Sequence, residues 1–120
     1  MPDRYPNLEQ QKINYRDFLS IRCDGSSESP RGTWTFTVAE NFTIYTTSSS
    51  HGHKFLYDNF GIDRDTVLTE GYIDFDDSGN IQKVHCKSRF AANEAFKGSA
   101  EQYGKFVRSV EQVIREKLKK

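Results

Sequence analysis

The chain has 120 residues, 35% of them hydrophobic, and its 17 basic and 17 acidic side chains cancel. That length holds one core, so residues 1–120 read as a single domain. The zero net charge argues against a dedicated nucleic-acid binder, which carries a basic excess, and no apolar run reaches the roughly 20 residues of a membrane span.

Nine Phe, six Tyr and one Trp offset the modest hydrophobic content, because each aromatic ring buries a large area. The N-terminal "MPDRYPNLEQ" has no apolar signal core, so the expected location is the cytoplasm. Cys23 and Cys86 then read as free thiols.

Residues 7–22 read two ways. Asn7 suits a helix cap, with Leu8, Tyr15, Phe18 and Leu19 sharing one face. Leu19, Ile21 and Cys23 also alternate as in a strand. A helix to about Phe18 that runs into a short strand is the favoured reading. After the breaker-rich "CDGSSESPRG", Trp34, Phe36 and Val38 alternate with Thr33, Thr35 and Thr37, the pattern of a half-buried strand. "AEN" turns the chain, and Phe42 to Thr47 return it. Gly32-Thr33-Trp34 resembles the Gly-x-Trp that opens the first strand of lipocalin-like and avidin-like barrels. That resemblance covers three residues and implies a ligand cup. Thr33 to Phe90 holds too few strands for the eight of such barrels, and no site is carried over.

"KFLYDNFGI" is a short strand or a helical turn ending at Gly61. "TVLTEGYIDF" and "IQKVHCKSRF" then read as strands joined by "DDSGN". The stretch "DFDDSGNIQKVH" has the oxygen spacing of a calcium loop, but its twelfth position is His85, where a bidentate Glu would close the coordination sphere. Both flanks are strand-like as well, so a hairpin is expected. Pairing Asp76 with Ile81 sets Asp74 opposite Lys83, Tyr72 opposite His85 and Glu70 opposite Lys87 on the wet face. Ile73 then meets Val84, Phe75 meets Gln82, and Gly71 meets Cys86 on the dry face. A slip by one residue would set Ile73 against Lys83, so the faces select the register.

The last element is a long helix. Asn93 reads as its cap, and Phe96, Tyr103, Phe106, Val107, Val110, Val113, Ile114 and Leu118 recur on one face. Gly98 and Gly104 weaken its first half, so a firm start only after Gly104 is one reading. The expected class is α+β: an antiparallel sheet of five or six strands, one face covered by a long C-terminal helix and a short N-terminal helix.

No catalytic set emerges. Cys86 belongs to the apolar face, where a thiol is inert packing. His51 and His53 lie in a polar loop and fall short of the three or four ligands of a stable metal site. No cofactor is therefore implied. Lys83, His85, Lys87 and Arg89 alternate on one strand and point one way, which suits phosphate or an acidic partner surface, or simply a solvated face partly neutralised by Glu70 and Asp74. Together with Trp34 and Tyr72 they form the expected binding set.

Two functions follow from these features. One is a non-enzymatic module that meets a protein partner, or a second copy in a homodimer, through its sheet face or long helix. The other is a small-ligand cup lined by Trp34, Phe36, Tyr45 and Tyr72.

Overall fold

The computed structural model describes residues 19–23, 32–48, 52–89, 92–96 and 98–118. The helix read over residues 7–18, the "HGH" histidine His51 and the strand end Phe90 lie outside them. The strands are β1 (Ser20–Cys23), β2 (Gly32–Val38), β3 (Thr43–Ser48), β4 (Thr69–Phe75) and β5 (Ile81–Ser88). The helices are α1 (His53–Phe60), α2 (Ala92–Ala95) and α3 (Ala100–Lys117), with a 3-10 turn at Arg64–Thr66. The strands form one open sheet in the order β1-β3-β2-β4-β5. The α+β class stands, and among the described residues the five strands do not close into the barrel that the Gly-x-Trp resemblance implies.

Three of the four strand pairings are antiparallel, while β1 runs parallel to β3 with Ile21 beside Ile44. Side-chain alternation is the same for either direction, so the pattern of β1 carried no sign of this. β2 sits in the middle. Trp34, Phe36 and Val38 point into a core with Ile44, Ile73 and Phe75, closed by Phe106, Val110, Val113 and Ile114 of α3. Its other face is not wet as the alternation suggested, since Thr35 and Thr37 are also buried. On that side α1 packs Leu56 against Ala39 and Tyr45, with Phe60 and Ile62 alongside. The sheet is thus covered by α3 on one face and in part by α1 on the other. "KFLYDNFGI" resolves as α1, and Gly61 ends it in the left-handed conformation at φ 63°.

The β2–β3 connection places Phe42 at φ 64°. Such a conformation costs an L-residue about 1–2 kcal/mol. Burial of the ring edge-on to Phe106, with centroids 5.7 Å apart, offsets that cost.

The β4–β5 hairpin keeps the expected register from Glu70↔Lys87 to Asp74↔Lys83. It departs at the turn, where a bulge between Asp74 and Phe75 sets Phe75 opposite Ile81 rather than Gln82. The bulge lets both apolar residues reach the α3 core. Asp76 does not pair with Ile81. Its carboxylate accepts the N–H groups of Ser78 and Asn80, each at 2.9 Å, and its own N–H donates to Asn80 O. These bonds, led by the one from Asn80, hold the Asp76 carboxyl below its ordinary pKa. The "DDSGN" oxygens thus build a turn, with Gly79 at φ 85°.

α3 begins later than Asn93 and earlier than Gly104. Asn93 falls within α2, Gly98 breaks the chain at φ 74°, and Ser99 caps α3 by accepting the Gln102 N–H at 3.2 Å. Most of the predicted apolar face meets the sheet, with Tyr103 and Leu118 only partly buried. Val107 lies half-buried outside the core, and Ser109 is buried on that side of the helix instead.

Gly71 is where β4 and β5 approach most demandingly. A Cβ at this position would lie 1.7 Å from His85 O, whereas one at Gly104 would meet nothing nearer than Arg108 Nη1 at 3.5 Å. Gly71→Ala should therefore destabilise the protein by about 1–3 kcal/mol through overpacking. Gly104→Ala should stabilise it by up to about 1 kcal/mol through helix propensity. Urea unfolding of the two variants checks both signs, and equal effects would contradict this account of Gly71.

Candidate functional site

α1 is eight residues long and covers only part of its face of the sheet. Beyond it, β2, β4 and β5 leave an open depression of about 420 Å³ lined by Thr33, Tyr72, Asp74, Lys83 and His85. Strand parity explains the grouping. Thr33 is paired with Asp74, Asp74 with Lys83, and Tyr72 with His85, so all five side chains share one face. Thr33 Oγ1 donates to Asp74 Oδ1 at 2.8 Å, which holds the carboxylate to β2. Tyr72 is the large hydrophobic side chain left exposed among the described residues, at 47%. His53, at the start of α1, meets the Tyr72 ring edge-on with centroids 5.6 Å apart and donates from Nε2 to Gly71 O at 3.2 Å.

The expected binding set is only partly assembled. Lys83, His85 and Lys87 are exposed beside Tyr72, as the alternation on β5 required. Arg89 is drawn away, with its Nε 2.8 Å from Glu70 Oε1. Trp34 lies on the opposite face, buried against Phe75 with ring centroids 5.8 Å apart. The aromatic cup is likewise divided. Trp34 and Phe36 face α3, Tyr45 packs under α1, and Tyr72 stands in the open.

The buried polar group under α1 escaped sequence reasoning. Glu70, opposite Lys87 and expected on a wet face, is 7% exposed. Tyr57 donates its hydroxyl to Glu70 Oε2, and Thr37 Oγ1 lies 3.5 Å from the same oxygen. Arg89 takes the other oxygen. A carboxylate buried this deeply needs such partners, because an unpaired charge would be strongly destabilising. The one signal in the sequence was an acidic residue inside the apolar run "TVLTEGYIDF"; nothing there named Tyr57, 13 residues away on a helix. Burial, then the Glu70 hydrogen bond, pushes the Tyr57 phenol up to about 12. The cluster pins α1 and the end of β5 to β4, and both Glu70 oxygens are engaged within it.

Cys86 packs against the α3 core as its face predicted. Burial, with the Glu111 carboxylate second, pushes its thiol up to about 12. A thiol so protonated at neutral pH is a poor nucleophile. Among the described residues no group of three or more His, Cys, Asp and Glu side chains comes together to hold a metal ion. No described helix is long and apolar enough to cross a membrane. No family model, no curated protein and no solved structure matches the chain.

The Tyr57 shift has a definite sign in pH. The folded state keeps the phenol proton to about pH 12, while the unfolded chain loses it near 10. Stability is therefore complete below pH 10 and declines between 10 and 12, because the unfolded chain then binds fewer protons. Urea midpoints measured across that window should fall, and they should fall less steeply for Tyr57→Phe. Identical slopes would show that the phenol is not held by Glu70 as described.

Proposed function

We propose that this protein is a non-enzymatic docking module that binds an acidic segment of another protein through the open sheet face around Tyr72. The observation that carries this reading is the placement of one exposed aromatic ring among three exposed nitrogen-bearing side chains, Lys83, His85 and Lys87. An amphipathic ring ringed by polar groups is the usual anchor of a protein interface, and cations around it favour acidic partners and speed their encounter. The long helix is a weaker docking element. Of the three aromatics in and before its first half, Phe96 and Phe106 are buried against each other with ring centroids 4.8 Å apart and Tyr103 is partly buried, so little of them is left for a partner. The small-ligand reading loses support because its four aromatics do not line one space. A polyanionic nucleic acid suits the site less well than a peptide, since Asp74 lies within the depression and the whole chain is neutral.

An NMR titration of the full chain with hexaglutamate tests this reading. Amides of Tyr72, Lys83, His85 and Lys87 should shift, the shifts should weaken with added salt, and Lys83→Glu with Lys87→Glu should reduce affinity about tenfold or more. Shifts confined to α3, no shifts at all, or stronger binding of a single-stranded oligonucleotide at the same residues would overturn it.

A further inference from the structure

Resting on that reading, we infer that the acidic segment binds as an additional β-strand along the outer edge of β5. β5 is the last strand of the sheet, and among the described residues nothing pairs with its outer side. The Arg89 N–H donates to Leu68 O at 3.3 Å, and Lys87 O accepts from Thr69 Oγ1 at 2.7 Å, so Lys83, His85 and Lys87, in the regular part of the ladder, turn their main chain toward β4. Antiparallel alternation then directs the N–H and C=O groups of Val84 and Cys86, which lie in the regular part of the ladder beyond the bulge, outward. An extended peptide would satisfy these groups, as strand-addition ligands do.

The side chains decide what that peptide must be. Lys83, His85 and Lys87 project on the open face and are exposed, whereas Val84 and Cys86 project on the other and pack against the α3 core. An added strand therefore needs Asp or Glu opposite the first set and apolar residues opposite the second. That is an alternating acidic–apolar segment of about five residues at strand spacing.

Charge also disfavours a second copy as the occupant. Two β5 strands paired antiparallel about His85 would set His85 against its equivalent and Lys83 against Lys87. A shift by two residues instead sets Lys83 or Lys87 against His85, and like charges directly opposite destabilise a pair. Lysines along an exposed edge are a device against self-pairing, and here they also define the complementary sequence.

The test uses the full ¹⁵N-labelled chain and three capped peptides of equal charge. One alternates Glu with Val and Thr; one has the same composition with its Glu residues in a block; one is the alternating peptide N-methylated at its edge-facing amides. The alternating peptide should slow hydrogen exchange at the Val84 and Cys86 amides by about tenfold or more, and N-methylation should weaken its binding by about tenfold or more. Equal binding of the N-methylated or block peptide would overturn the edge geometry while leaving acidic docking intact. If none of the three binds, the docking reading itself falls. Protection of those amides without peptide would also overturn the proposal: in a dimer it would identify a second copy on the edge, and in a monomer the chain's own residues.

Discussion

Burial of β2 on both faces is the constraint on which the rest of this structure depends. Its aromatic and valine side chains define the core that α3 closes, and its threonines lie under or beside α1. A strand with Thr35 and Thr37 on its second face cannot supply much hydrophobic stabilisation there. That side is held by a smaller apolar cluster around Leu56 and Tyr45 and by hydrogen bonds such as Thr46 Oγ1 to Thr35 O at 2.9 Å. Polar groups buried in this way are tolerated where a partner satisfies them, as Thr35 O does for Thr46 and Glu70 does for Thr37.

The Glu70 cluster follows from the same constraint. β4 neighbours β2, and its residues of the same parity fall under or beside α1, so an acidic residue at position 70 is buried once α1 docks. Tyr57 from the helix and Arg89 from the end of β5 then converge on it. The cluster settles where α1 sits, and thereby where its cover stops. Tyr72, two residues further along β4, is left outside with His85 opposite and Lys83 on the same face. The exposed site and the buried cluster thus divide one continuous polar face between them, with the short helix as the boundary.

Chemistry divides along the same line. The titratable groups moved furthest from their ordinary values, Tyr57 and Cys86, are moved by burial, and both are protonated at neutral pH. They serve packing and hydrogen bonding. The open side holds lysines, an imidazole, the Asp74 carboxylate and the Tyr72 ring.

Local pattern was enough to determine much of the fold. The alternation in "TEGYIDF" and "QKVHCK" selected the β4–β5 register, because a slip would exchange the two faces. The spacing from Phe106 to Ile114 identified the buried stripe of α3. Lys83, His85 and Tyr72 could be placed on one face for the same reason of parity. Tertiary structure decided what parity leaves open: the parallel direction of β1, the helix on the second face, the bulge at Phe75, and the fate of each polar residue. Trp34 and Arg89 show the difference. Parity assigns a side of a strand, but only packing decides whether that side meets a core, a buried carboxylate or water.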